Sequence, residues 1–140
     1  MKILILGYSN LVKKRIIPVL KKYFNKIEFS ICSVSQKKQN IGQYQWFRNY
    51  NDALLNAKAD IVYISLPNSL HYFWSKKFLQ KNYNVIIDKP ATLNLKQAKN
   101  LINIAKKKKK LLTEATFFNY HNQISESIKE IKSIKNLNLI

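Results

Sequence analysis

Apolar positions in this chain fall into short continuous runs separated by stretches where they recur every three or four residues. Lys2 to Leu6 is a continuous run of the kind expected for a central parallel strand covered on both faces, and Gly7, Tyr8, Ser9 and Asn10 break it. From Leu11 to Tyr23 the apolar residues Leu11, Val12, Ile16, Val19, Leu20 and Tyr23 keep helical spacing, with Lys13, Lys14, Lys21 and Lys22 outside. Pro18 inside that stretch predicts a kink or a helix in two pieces, because proline removes a hydrogen bond and crowds the preceding turn. Ile27 to Val34 alternates large apolar residues with Glu28 and Ser30 and predicts a second strand. Polar Ser35 to Gln43 predicts a loop with a short helix, Tyr44 to Phe47 a brief edge strand, and Asp52 to Ala57 one or two helical turns.

The second half repeats the alternation more clearly. Ile61 to Leu66 predicts a strand, and Asn68 or Ser69 can cap a helix whose apolar face holds Leu70, Phe73, Trp74, Phe78 and Leu79. Asn82 stands where that helix should end in a left-handed turn, and Asn84 to Ile87 predicts the next strand. Asn94 with Gln97 forms a capping box ahead of a helix with a buried stripe of Leu95, Ala98, Leu101, Ile102 and Ala105. Lys106 to Lys110 closes it, as suits cations at a helix carboxyl end. Leu111 to Thr116 predicts a last strand and Gln123 to Ile134 a last helix, with Ile124, Ile128 and Ile131 inward. Strands separated by helices pair in parallel through right-handed crossovers, so the prediction is α/β, a Rossmann-type doubly wound parallel sheet forming a single domain over residues 1–140.

Composition narrows the partners. A chain of 140 residues that is 46% hydrophobic can bury one ordinary core. Cys32 is the single cysteine, cannot close an intramolecular disulfide and suits a reducing compartment. The amino terminus offers only Ile3 to Leu6 before Gly7, too short for a signal-peptide core, and no apolar run approaches bilayer-spanning length. The expectation is a soluble cytoplasmic protein with no membrane partner. The formal charge of +18 comes almost entirely from lysine, with only Arg15 and Arg48 to supply bidentate phosphate contacts. Together with abundant asparagine and isoleucine, this reads as compositional bias, so no specific nucleic-acid partner is expected.

Chemistry gathers where the strands finish, at Gly7 to Leu11, Pro67-Asn68 and Asp88-Lys89-Pro90, which is where open α/β sheets bind ligands. The dinucleotide fingerprint places glycine first, third and sixth after the opening strand, and here Gly7, Ser9 and Val12 hold those positions. Gly7 can make the tight turn, and the helix start over Tyr8, Ser9, Asn10 and Leu11 still offers N–H groups to a phosphate. No carboxylate ends the second strand to bind an adenosine ribose; Ser33 and Ser35 stand there, followed by Lys37 and Lys38. Hydroxyls and cations suit a ribose phosphate, so NADP is expected in preference to NAD.

The motifs from Asp60 to His71, Asn84 to Pro90 and Leu112 to Ala115, with Tyr120-His121, resemble the amino-terminal half of the Gfo/Idh/MocA family of NAD(P)-dependent oxidoreductases. The resemblance implies oxidation or reduction of sugars, inositols or related polyols. By position it makes Lys89 the motif lysine and catalytic candidate, with Asp88 replacing the usual glutamate and Pro90 shaping the turn. It places Leu66, Pro67 and Asn68 on the nicotinamide side, with His71 facing the same cleft as a second catalytic candidate or a locally packed histidine. Glu114 matches a position near the cofactor, while Asn119 and Asn122 depart from the family's arginine and proline. The family's second, substrate-holding and oligomerising domain is absent from these 140 residues. Catalysis by these residues alone is not expected: the resemblance implies a cofactor half that is either cut short or completed by a separate substrate-domain chain, with a homo-oligomer as the other partner reading. The alternative is a stand-alone nucleotide-binding or interaction module without redox activity.

Overall fold

The computed structural model describes residues 1–34, 44–116 and 121–133. Six parallel strands form one sheet in the order β3-β2-β1-β4-β5-β6. They are β1 (Lys2–Leu6), β2 (Glu28–Cys32), β3 (Gln45–Phe47), β4 (Ile61–Ile64), β5 (Asn84–Ile87) and β6 (Leu112–Glu114). The order reverses beside β1, whose Leu6 pairs with Cys32 of β2 on one side and Ile64 of β4 on the other. A crevice opens at that point above the strand ends. The continuous apolar runs are explained by cover on both faces: every residue from Ile3 to Leu6 is buried.

Side chains alternate between two cores. Leu4, Leu6, Val62, Ile64, Val85 and Ile87 face one way and meet α2 (Tyr50–Asn56), α3 (Asn68–Gln80) and α4 (Leu95–Lys108) through Leu54, Trp74, Phe78, Leu79 and Leu101. Ile3, Ile5, Phe29, Ile31 and Tyr63 face the other way and meet Val12 and Ile17. The first helix is indeed in two pieces. A π-helical stretch, Val12–Ile16, precedes α1 (Ile17–Tyr23), and the Ile17 N–H bonds to the Val12 carbonyl five residues back. Pro18 then sits in the first turn of α1, just where the wider π-helical stretch gives way to the α-helix.

The predicted helix ends hold. Asn82 takes φ 65° after α3, and Lys109 takes φ 53° after α4. Asn94 accepts the Gln97 N–H at 3.0 Å, and Gln97 reaches back to the Leu93 N–H at 3.0 Å. Asn49, unforeseen, caps α2 by accepting from Asn51 and Asp52. Neither Asn68 nor Ser69 caps α3, whose N-terminus carries no side-chain cap.

Several predicted inward residues are exposed. Phe73, Leu95, Ile102, Val19 and Tyr23 lie outside, because each helix meets the sheet along a narrower line than its apolar spacing suggests. In α4 that line is Leu101 and Ala105. Phe73 packs edge-on against Trp74 and under the Lys77 ammonium instead. Ile128 and Ile131 of α5 (Asn122–Ser133) are also exposed, since no residue of that helix is buried among the described residues. The sheet face that carries α1 keeps an apolar groove of about 550 Å³ between Ile5, Val19, Ile61 and Tyr63.

Cys32 is fully buried at the end of β2. Burial, with Asp52 nearby as a smaller cause, pushes its thiol up to about 12. The folded chain is expected to resist thiol reagents that label it at once in urea. The unfolded chain releases the proton first, so stability falls as pH rises above the ordinary value of 9.0, until the folded thiol itself ionises. Cys32→Ala should flatten that alkaline slope in pH-dependent urea unfolding; an unchanged slope would show that other groups set it.

Candidate functional site

Gly7 ends β1 with φ +91°, donating its N–H to the Cys32 carbonyl at 2.8 Å. A Cβ there would stand 2.1 Å from the Ser65 carbonyl oxygen, so the two strand ends approach closer than any side chain permits. Tyr8 turns inward, buried, with its ring edge-on to Trp46 and the Lys13 ammonium 4.7 Å from its centroid. Ser9 does two jobs. Its hydroxyl accepts the Val12 N–H at 3.2 Å, acting as a helix cap, and shares a 2.9 Å hydrogen bond with the Ser65 hydroxyl. Val12, at the sixth fingerprint position, is fully buried in the α1-side core.

The second wall comes from β4 and β5. Ser65 donates its N–H to Leu6 and Asp88 donates its own to Ile64, so the strands keep their ladders up to the crevice. Tyr63 donates its hydroxyl to the Asp88 carboxylate. Tyr63 pairs with Ile86, and Asp88 lies two residues further on the same face, within diagonal reach. Burial first, then the Asp88 hydrogen bond and charge, raise the Tyr63 phenol, which holds its proton as a donor. Lys89 is exposed, and the Lys89–Pro90 peptide bond is cis. Glu114 ties the turn beyond it, accepting the Ala91 N–H at 2.7 Å and the Thr116 hydroxyl at 3.1 Å.

These ends enclose a cleft of about 490 Å³ lined by Ser9, Leu11, Ser65, Leu66, Pro67, Asn68, His71, Asp88 and Lys89. Seven of the expected residues thus share one cavity with an eighth, Ser9, from the glycine-poor loop. Gly7 and Tyr8 are not among the lining residues, Tyr8 being buried in the α1-side core, and Asn10 is exposed at the helix start. Ser33 is buried, with its N–H on the Phe47 carbonyl, and is not among the lining residues. Glu114 lies behind the Pro90 turn as its tie. Ser35, Lys37, Lys38, Asn119 and Tyr120 fall outside the described residues. His71 is fully buried, its Nε2 2.7 Å from the Leu66 carbonyl and its Nδ1 2.8 Å from the Pro90 carbonyl.

Sequence reading missed two members. Ser65 carried a signal, being the polar residue that ends the β4 run, but nothing in the spacing showed it meeting Ser9. Tyr63 looked like one more apolar strand residue, and its link to Asp88 depends on strand register. Among the described residues no cluster of His, Cys, Asp or Glu could hold a metal ion, and no helix is long and apolar enough to cross a membrane.

Parallel strands in this order, with polar strand ends converging over the reversal beside β1, define a nucleotide-binding α/β domain of Rossmann type. The chain belongs to the GFO_IDH_MocA family, an oxidoreductase family with an NAD-binding Rossmann fold, whose model matches residues 1–116. It is 32% identical over 85 residues to the D-xylose 1-dehydrogenase (NADP(+)) of Hypocrea jecorina, a match covering 61% of this chain and 22% of that one. A 3-ketoreductase from Actinomadura kijaniata, solved with NADP and TDP-benzene, superposes with a TM-score of 0.83 at 24% identity, over 94% of this chain and 42% of that one. The WlbA dehydrogenase of Bordetella pertussis, solved with NADH and UDP-GlcNAcA, gives 0.84 at 16% identity, over 94% and 39%. The chain therefore spans well under half the length of each of these relatives.

Proposed function

We propose that this chain binds a nicotinamide dinucleotide, NADP in preference to NAD, as the cofactor half of an oxidoreductase acting on a sugar or related polyol. The carrying observation is the cleft, where three strand ends bring Ser9, Pro67, Asn68, Asp88 and Lys89 around one cavity. Gly7 supports the fit, because a backbone with no Cβ and positive φ lets the loop lie flat against Ser65. The dinucleotide would supply the hydride acceptor or donor. Lys89, exposed at the rim, would orient and polarise a substrate hydroxyl or carbonyl, and Asp88 beside it is held by Tyr63.

The preference for NADP rests on charge. No acidic residue lies between Glu28 and Asp52, so no carboxylate follows β2 to repel a ribose phosphate. The substrate class rests on the sugar-directed names of relatives, which match about a fifth of their own length. Turnover would require a substrate-holding surface beyond these 140 residues, since proximity supplies much of the rate in such reactions. A second reading, a binding module without redox chemistry, draws on the Ser9–Ser65 hydroxyl pair, which occupies polar groups where a dinucleotide phosphate would approach.

Titrating NADPH and NADH into the full chain, following nucleotide fluorescence on excitation of Trp46 and Trp74, tests the proposal. Saturable binding is expected for both, tighter for NADPH. Tighter NADH would reject the preference, and no binding of either would reject the cofactor role.

A further inference from the structure

Ser9 stands at the third fingerprint position, where glycine ordinarily lets the loop backbone come close to a pyrophosphate. Here a side chain lines the cleft instead, and its hydroxyl is already engaged on two sides. It accepts the Val12 N–H at 3.2 Å and shares a 2.9 Å hydrogen bond with the Ser65 hydroxyl, 56 residues away at the end of the β4 wall. The Val12 N–H is one of the donors that a helix start leaves without a partner inside the helix, and so one that an anion would otherwise accept. The helix's own ladder begins one residue later, with the Lys13 N–H on the Ser9 carbonyl at 3.0 Å.

The two hydroxyls can meet because the strand ends nearly touch. A Cβ on Gly7 would stand 2.1 Å from the Ser65 carbonyl oxygen, so the loop after β1 carries Ser9 up against the residue that follows β4. Ser65 is buried and Ser9 half-buried, which shelters their bond from water. Pro67, Asn68 and Lys89, by contrast, are exposed along the rest of the same cleft. One side is open and the other is tied shut.

We propose that the Ser9–Ser65 pair is a latch across the phosphate side of the cleft, and that a dinucleotide binds only by opening it. This latch presupposes the dinucleotide reading above and names what limits its affinity. Opening breaks the bonds from Ser9 to Ser65 and from Ser9 to Val12, and the Val12 N–H then passes to a phosphate oxygen. The hydroxyl pair thus acts as a brake on binding rather than as a sign of lost redox chemistry. Since the pyrophosphate is common to NADPH and NADH, the latch weakens both alike and leaves the preference between them to charge elsewhere.

The test is titration of NADPH and NADH into the full chain, its Ser9→Gly and Ser65→Ala variants and the double variant, each checked for folding by circular dichroism. Glycine is well tolerated at a helix start, and Ser65→Ala removes only a hydroxyl. Ser9→Gly is expected to tighten both nucleotides by about fivefold or more, the equilibrium effect of one ordinary hydrogen bond, with their ratio unchanged. Ser65→Ala, which unties Ser9 without altering the loop, should also tighten both. The double variant should bind no tighter than Ser9→Gly alone, as expected for two members of one contact. Unchanged or weaker binding by Ser9→Gly would overturn the latch, a gain there with none for Ser65→Ala would overturn the pairing, and a gain confined to one nucleotide would overturn its placement at the pyrophosphate. Native binding that neither change alters leaves the cofactor role standing without the latch. Binding seen only in the variants supports both, and no binding by any of the four chains rejects both.

Discussion

Replacing Gly7 with alanine is expected to cost on the order of 4 kcal/mol or more, enough to unfold a large share of the chain at ordinary temperature. Two independent penalties combine. An alanine held at φ +91° is in the left-handed region, which costs about 1–2 kcal/mol for a residue with a Cβ. The larger penalty is contact, because the new Cβ would meet the Ser65 carbonyl oxygen at 2.1 Å and its carbon at 2.8 Å. Those are backbone atoms immediately after β4, tied to β1 by the Ser65 N–H on Leu6, and they cannot swing aside like a side chain. Relief requires prising apart the central strands at the point where the cleft begins. Urea unfolding of Gly7→Ala should show a much lower midpoint, and any folded remainder should bind dinucleotide poorly. A midpoint within about 1 kcal/mol of the parent, as for an ordinary surface change, would show that the approach of the two strand ends is looser than described.

Phe78→Ala should cost about 3–5 kcal/mol, the usual range for emptying a buried aromatic site. Phe78 is fully buried in the core under α3, where it meets Trp74 and Tyr83. Tyr83 is fixed in turn by its hydroxyl on the Ala57 carbonyl at 2.6 Å, so the cavity has a stiff wall and little freedom to collapse. The effect reaches the site because α3 presents Asn68 and His71 at one end and is clamped to the sheet by Trp74, Phe78 and Leu79. Denaturant unfolding should show a lower midpoint with an unchanged slope. By contrast Phe73→Ala, on the exposed side of the same helix, should shift stability by less than about 1 kcal/mol. Equal effects at the two positions would contradict the assignment of the buried face.

The sequence exposed the sheet well, because strands buried on both faces write themselves as continuous apolar runs bounded by turn residues. Asn82, the Asn94–Gln97 pair and Pro18 marked helix ends and a helix break through local chemistry, and local chemistry needs no tertiary knowledge. Which side of a helix meets the sheet was less legible. Leu95, Ile102, Ile128 and Ile131 carry helical spacing and yet lie outside, since spacing defines a stripe but not how much of it finds a partner. In the cleft, Pro67, Asn68, Asp88 and Lys89 were visible as strand-end turns. The groups that hold them were not: Tyr63 reaches Asp88, Ser65 meets Ser9, and Glu114 ties Ala91 through pairings set by strand register. His71 was legible as a residue beside the cleft, whereas its two carbonyl partners lie 5 and 19 residues away and appear only in the folded chain.

The most direct test of the cleft as a dinucleotide site is residue-resolved: backbone amide shifts of the full chain titrated with NADPH and, separately, NADH. Saturable shifts are expected, concentrated at Ser9 to Leu11, Leu66, Asn68, Asp88 and Lys89, with the far ends of the strands at Lys2, Glu28 and Asp60 unmoved. Shifts spread over the exposed lysines with no saturation, or none at all with either nucleotide, would contradict it.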